Sequence, residues 1–446
     1  MLKKVDSEIK NIVSNVDNGY RKDKGITLVA LVITIIIIII LATVTINMAF
    51  GDNGLIKQTE LARDMAANST IAEQEGMNSL MDEYANLLAE DSEINPPTPT
   101  LPDGWDGDKV TAEESSDGVT VPVPIGYTAS DATGETSVND GFVIYEGTEE
   151  VNDSNVDTAK TSRNQFVWIP VADISQIANQ TSGTDGNGRQ NYQGKLYSFT
   201  STGASERTNY GQGTTSWREP DIVTDYDGTD ATNDSSYFTT AISSSMTGEQ
   251  FQTQLQEEFN EMIESVDTYG GFYIGRYETG NLASNTTTEP VVVKENESIS
   301  SVNWYYMYQN SKSVAANDNV VSTMIWGCMW DRTLIWLTET GDKTYSEITN
   351  STTWGNYSDS TGAAATNSGS KQPTGTNEAW KANNIYDLAG NVYDWTIEAL
   401  NTGNRVSQGG SYTLSGSNVP SSSRSSYRPY FTDSNYGTRL AFYVAL

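Results

Sequence analysis

The sequence contains no histidine and a single cysteine, Cys328. Without histidine, Ser-His-Asp and Cys-His catalysis are excluded, as are zinc, copper or iron centres built from His or Cys clusters. One cysteine cannot close a disulfide within the chain, so stability in an oxidising environment has to come from packing. Basic residues are scarce too: 26 Lys and Arg face 58 Asp and Glu, a net charge of −32. Such a surface repels phosphate backbones and anionic headgroups, so nucleic acid is not expected as a partner. Beyond that, acidity reports mainly solubility. Charged residues make up only 19% of the chain and hydrophobic ones 37%, which leaves Ser, Thr, Asn, Gly and Tyr to cover the surface. That composition suits a secreted or cell-surface protein. A length of 446 residues holds one large domain or two ordinary ones.

What is present begins at the amino terminus. Residues 1–25 are polar, with Lys3, Lys4, Lys10, Arg21, Lys22 and Lys24 set against Asp6, Glu8, Asp17 and Asp23. From Ile26 to Phe50 no residue is charged. As a helix this stretch would extend about 37 Å, enough to cross a hydrocarbon core of roughly 30 Å. Bases before it, with Asp52 and Glu60 after it, orient the N terminus toward the cytoplasm. A secretory signal peptide does not fit, because the polar leader and the apolar run are both too long. A plain membrane anchor and a filament-forming helix both do.

The junction Lys24-Gly25-Ile26-Thr27-Leu28 resembles the site where prepilin peptidase cuts type IV prepilins, here between Gly25 and Ile26. Residues 51–56 are similar to the continuation in pilin-like proteins of Gram-positive anaerobes. The resemblance implies prepilin peptidase and other pilin subunits as partners. It also implies residence in the cell membrane through the segment from Ile26 to Phe50 before assembly, then a place at the cell surface or in an extracellular pilus-like filament. Loss of the leader would leave 20 bases and 54 acids, net −34. Pilins usually carry Glu at the fifth mature position, where this chain has Ala30. A buried carboxylate there needs a partner, and Ala30 neither requires nor supplies one. A minor or tip subunit is therefore expected rather than an abundant major one.

Downstream, Met77, Leu80, Met81, Tyr84, Leu87 and Leu88 follow Leu55, Leu61, Met65 and Ile71 at helical spacing. The spacing predicts a long amphipathic helix, so that 26–90 reads as one pilin-like unit. Residues 91–118 read as an acidic, proline-rich linker containing Pro96, Pro97, Pro99 and Pro102. The head is expected at 119–446. Its β-branched and aromatic runs predict strands at 141–146, 165–171 and 271–277. One strong helix is marked by Leu255, Phe259, Met262, Ile263 and Val266. Stretches 178–245 and 343–378 are so poor in aliphatic residues that they read as loops or insertions, which in compact domains tend to carry binding function.

Four blocks give the head a family resemblance. Residues 384–396 are similar to the N-x-x-G-N-V-x-E-W block of the formylglycine-generating enzyme, or sulfatase-modifying factor, family, with Asn391 and Asp394 inside it. Residues 405–412 resemble its R-V-x-R-G-G-S-W block, and Arg424 to Arg428 and Gly437 to Ala441 its closing strands. Phe166 to Pro170 and Tyr273 to Glu278 fit its opening strand pair. The resemblance implies an α+β fold: a long N-terminal pilin-like α-helix, a proline-rich linker, and a C-type-lectin-like head with short strands and long loops. Trp326, Trp330, Trp336 and Trp395 are expected in its core, and Gly409-Gly410 at a close approach or positive φ.

The resembled family oxidises substrate cysteines with a copper-binding cysteine pair, and the corresponding positions here hold Leu414 and Val419. Its iron-dependent branch needs several histidines. The chain is therefore expected to be no enzyme. Calcium is the one metal left open, through Asn391 and Asp394, although a carboxylate satisfying loop amides explains the same residues. No other cofactor is expected. What remains is a binding head. Residues 412–436 mix Tyr, Ser, Asn and Arg as antibody paratopes do, in the region where lectin-like variable proteins hold their ligand surface. Tyr412, Arg424, Tyr427, Arg428, Tyr430 and Tyr436 are the candidate glycan- or protein-binding residues, with Arg424, Tyr427 and Arg428 equally readable as framework. Three classes stand: a pilin-like adhesin with a lectin-like head, a structural filament subunit with an inert coat domain, and a membrane-anchored accessory pseudoenzyme.

Overall fold

The computed structural model describes residues 101–207, 234–281, 291–297, 301–314, 317–401 and 403–446. The cleavage junction Gly25-Ile26, Ala30, the apolar segment from Ile26 to Phe50 and the amphipathic stretch to residue 90 lie outside the described residues. Among the described residues no helix is long and apolar enough to cross a membrane.

The three runs expected as strands form Val143–Glu146, Gln165–Pro170 and Gly271–Gly275. They are central members of a six-stranded antiparallel sheet. Its order is Val320–Met324, Leu440–Val444, Gly271–Gly275, Gln165–Pro170, Val143–Glu146, Tyr127–Ala129. All of these strands except the edge strand Tyr127–Ala129 are buried along most of their length, as near-continuous apolar runs require. Gly271 is needed where it stands: a Cβ there would come within 2.4 Å of the Ile169 carbonyl oxygen and 2.6 Å of the Trp168 ring.

The expected helix runs Gly248–Tyr269. Thr247 and Gln250 form a reciprocal capping box at its start, and Gly270 ends it in the left-handed region. Leu255, Phe259, Met262, Ile263 and Val266 are all fully buried. The Ser265 hydroxyl donates to the Val444 carbonyl at 2.6 Å, fixing the helix against the C-terminal strand.

Two readings need correction. The ordered head starts before residue 119: within the stretch read as linker, Val110–Glu114 pairs antiparallel with Thr120–Pro124. Val110 is buried with Tyr269 and Val444, and Trp105 packs on Tyr269 at 5.9 Å. The stretch 178–245 is also not all loop. Ala178–Thr184 pairs with Gln190–Gly194, Tyr197–Thr200 pairs with Gly203–Glu206, and Asp234–Ala241 is helical. Ladder hydrogen bonds hold these hairpins, and such bonds do not need aliphatic side chains. Two helices carry little of the spacing signal that marks the long one, Trp304–Ser311 and Gly327–Glu339. The second holds Trp330 and Trp336, which are buried with Trp326 and Trp395 as expected.

A second sheet has the order Arg424–Tyr427, Asn404–Gln408, Tyr393–Asn401, Tyr436–Thr438, with its last pair parallel. It carries Asp394, Arg424, Tyr427 and Tyr436 of the candidate site residues.

Candidate recognition surface

The loop that carries Leu414 and Val419 is organised around a tyrosine. Tyr357 is fully buried, and its hydroxyl donates to the Gly409 carbonyl at 2.5 Å. Gly410 has φ +76, and a Cβ there would lie 2.4 Å from the Val419 carbonyl oxygen. Leu414 and Val419 are partly buried and packed on the main core. Asp359 ties the loop down, accepting from the Ser415 hydroxyl at 2.6 Å, the Gly416 amide at 2.6 Å and the Ser417 hydroxyl at 3.1 Å. Burial alone would raise this carboxyl, but those hydrogen bonds outweigh it and hold it below the usual carboxylate range. Cys328 is buried in the helix Gly327–Glu339. No thiol pair exists to bind copper.

Asn391 and Asp394, the calcium candidates, are both buried, and Asn391 is fully engaged in hydrogen bonds. The Asn391 side-chain oxygen accepts from Asn356 Nδ2 and from the Gln372 amide, each at 3.0 Å. Its amide nitrogen donates to Glu278 at 2.6 Å. Asp394 faces the Arg439 guanidinium at 3.5 Å. Glu278 and Asp387 complete a buried acidic group around that arginine. Burial, then Asp387 and Asp394, push Glu278 well above its ordinary range. Asp394 is pushed up to about 7 by burial, against the pull of Arg439. Calcium needs six to eight oxygens with free lone pairs. The Asn391 oxygen is hydrogen-bonded twice, whereas the Asp394 carboxylate faces Arg439 and neither of its oxygens has a hydrogen-bond partner. Among the described residues no group of three or more Asp, Glu, Cys or His is disposed to hold a metal.

The six recognition candidates separate by exposure. Arg424 is a correction, because its side chain points inward and is 1% exposed. Its Nε donates to both oxygens of Glu398, its Nη2 to Asp331 at 2.5 Å and its Nη1 to the Tyr197 carbonyl at 3.1 Å. It anchors the strand Arg424–Tyr427 from beneath. Tyr436 is also buried, stacked on Tyr393 at 5.1 Å and against Trp395 at 4.9 Å. Tyr412 is half-buried in the loop around Tyr357, its amide bonded to the Asn391 carbonyl.

Three candidates reach solvent together. Tyr427 is 46% exposed, Arg428 is exposed, and Tyr430 is half-buried with the Arg428 guanidinium 5.9 Å from its ring centre. Phe431, not singled out by sequence reasoning, joins them. Its ring lies 4.0 Å from Tyr427 and 5.3 Å from Tyr436. Its position within the same aromatic run was the available signal. The result is an aromatic stair from buried Trp395 through Tyr436 and Phe431 to exposed Tyr427. Rigid rings with two rotatable bonds lose little entropy on binding, and the buried steps hold the exposed ones in place. The Pro429 carbonyl accepts from the Trp304 amide at 2.9 Å, which ties the turn carrying Tyr430 to a neighbouring helix.

Against known families, the Sulfatase-modifying factor enzyme 1-like domain matches residues 336–444, less than a third of the chain. Over those residues the head is similar to that domain, and the described head as a whole has more strands than helices. That family holds enzymes and non-catalytic members alike. No curated protein matches the chain. Among solved structures, PvdO from Pseudomonas aeruginosa is similar at 15% identity, covering 40% of this chain and 82% of its own, with a TM-score of 0.28. CarF is similar at 13% identity, covering 40% and 87%, with a TM-score of 0.27. Treponema denticola variable protein 1 is similar at 13% identity, covering 63% and 96%, with a TM-score of 0.24.

Proposed function

We propose that the chain is a surface-displayed, pilin-like protein whose lectin-type head recognises a protein or glycan without catalysing a reaction. The observation that carries the reading is exposed Tyr427 stacked on half-buried Phe431, with Arg428 and Tyr430 near them in sequence and Tyr436 and Trp395 buried behind. The absence of catalysis rests on Leu414 and Val419 at the cysteine positions and on Tyr357 filling their loop. Display rests on the uncharged stretch from Ile26 to Phe50 and the Gly25-Ile26 junction.

Two measurements test it. The unit Pro99–Leu446, screened on glycan and host-protein arrays, should give a ligand whose binding is lost in Tyr427→Ala with Phe431→Ala. Retained binding in that double variant would sink the assignment of the surface. N-terminal sequencing of the mature protein should begin at Ile26; an intact leader supports a plain anchor instead.

A further inference from the structure

Five half-buried cations of the head, Lys160, Arg189, Lys195, Lys312 and Lys381, each have a carboxylate oxygen within 4.0 Å. Arg428 differs from them. It is exposed and, among the described residues, has no carboxylate that close. Its guanidinium lies instead 5.9 Å from the ring centre of Tyr430, a contact that orients the cation without neutralising it. Asp433, the acid nearest to it along the chain, accepts from the Asn435 amide at 2.9 Å. In a chain with 26 bases and 58 acids, an exposed arginine with no acid against it is the unusual case.

The chain folds back at this arginine. The Phe431 amide donates to the Arg428 carbonyl at 3.0 Å, closing a turn with Pro429 and Tyr430 at its centre. Such a turn brings its first and last Cα atoms within about 7 Å. Phe431 packs on Tyr427 with ring centres 4.0 Å apart, so the cation and the 46% exposed ring flank one short turn. The other large apolar side chains exposed among the described residues, Val119, Ile125 and Leu446, lie outside the second sheet and this turn. A stable protein interface covers about 800 Å² on each partner around an apolar core. One exposed ring offers instead the area of a sugar face. The net charge of −32 also opposes an acidic protein, which brings many like charges at once, more than it opposes a saccharide with one or two carboxylates. Screening over about 8 Å at physiological salt leaves Arg428 to decide the contact itself.

We propose that the surface around Tyr427 selects a saccharide that carries a carboxylate. The Arg428 guanidinium pairs with the carboxylate through two parallel N–H donors. The negative face of the Tyr427 ring receives the C–H groups of the sugar. This deepens the recognition reading above and rests on it: protein and glycan were both left open there, and a free cation beside a single exposed ring favours the acidic glycan.

The test probes two arrays with the full chain in detergent micelles. On the first, each uronate- or sialate-bearing glycan is printed beside its neutral methyl ester; the second carries host proteins. Glycans with a free carboxylate should bind, and esterification should weaken them roughly tenfold, the loss of a charge-assisted pair. Arg428→Gln should abolish that difference, and Arg428→Lys should restore part of it. Tyr427→Ala with Phe431→Ala should remove binding to both forms. Unfolding midpoints check that each variant is folded, and Tyr427→Ala alone replaces the double variant if that one is not. Equal binding of acid and ester, both lost in the double variant, would overturn this inference while the recognition reading survives. A preference for the free acid that Arg428→Gln leaves intact would do the same. Binding to proteins alone, lost in the double variant, would put a protein partner in place of the saccharide. Absence of binding on both arrays, or binding that the double variant leaves unchanged, would overturn the inference and the recognition reading together.

Discussion

The Arg424 Nε lies 3.0 and 2.9 Å from the two oxygens of Glu398, and both side chains are buried. With Asp331 on the other side of the guanidinium, this group joins the strand Arg424–Tyr427 to the helix Gly327–Glu339 and the strand Tyr393–Asn401. Removing one member leaves the other charges buried without their partner. Arg424→Ala is expected to cost roughly 3–5 kcal/mol in urea unfolding. Arg428→Ala, on an exposed side chain, should stay within about 0.5 kcal/mol while weakening ligand binding. Equal losses for the two would contradict the inward placement of Arg424.

The same group makes stability depend on pH. Burial pushes Glu398 up to about 7, with Arg424 lowering it and Asp331 raising it, and Asp394 also lies at about 7. The folded chain therefore keeps these protons to higher pH than the unfolded chain, whose Glu and Asp titrate at 4.5 and 3.8. Between about 4.5 and 7, unfolding releases protons, so stability falls as pH rises, by at most about 1.4 kcal/mol per pH unit for each group. Asp117 acts in the opposite direction: burial raises it, but hydrogen bonds from Ser115, Val138, Asn139 and Ser137 hold it at about 2. Its contribution is lost as pH falls from about 4 toward 2. Urea midpoints across pH 3–8 should peak on the acid side of neutrality. Glu398→Gln should flatten the limb between 4.5 and 7, and an unchanged slope would refute the assignment.

The buried ring of Tyr357 lies under the loop that carries Gly410 and Gly416. Tyr357→Phe removes only the hydroxyl bonded to Gly409 and should cost about 1 kcal/mol. Tyr357→Ala empties the loop and should cost about 3–5 kcal/mol. Thermal unfolding of both variants checks the ratio, and similar values for the two would mean that the ring does not fill the loop.

Calcium should not stabilise the head. A ligand present at a hundred times its dissociation constant adds about 2.7 kcal/mol to a folded state. Millimolar calcium, or its removal with a chelator, is expected to leave the unfolding midpoint of Pro99–Leu446 unchanged. A clear upward shift with calcium, lost in Asn391→Ala, would restore those residues as ligands.

How much was legible in the sequence follows from distance along the chain. The central strands and the long helix announce themselves through Phe166 to Ile169 and through Leu255, Phe259 and Ile263, because each pattern is local. The buried tryptophans were expected for the same reason of bulk. Arg424 was not legible. It stands among serines and tyrosines, and its partners Glu398 and Asp331 are 26 and 93 residues away. Asn391 was legible as a polar loop residue, yet Asn356, Gln372 and Glu278 decide what it does, and Glu278 is 113 residues away. The hairpins between residues 178 and 206 escaped notice because their stability lies in backbone pairing rather than in side-chain alternation.

The strand Leu440–Val444 lies between Gly271–Gly275 and Val320–Met324, with Tyr273 opposite Phe442. Until Val444 has been made, Val320–Met324 has no neighbour in this sheet and Gly271–Gly275 has one open edge. A nascent chain truncated before that point exposes two unsatisfied strand edges and cannot close its core, whatever it has already formed upstream.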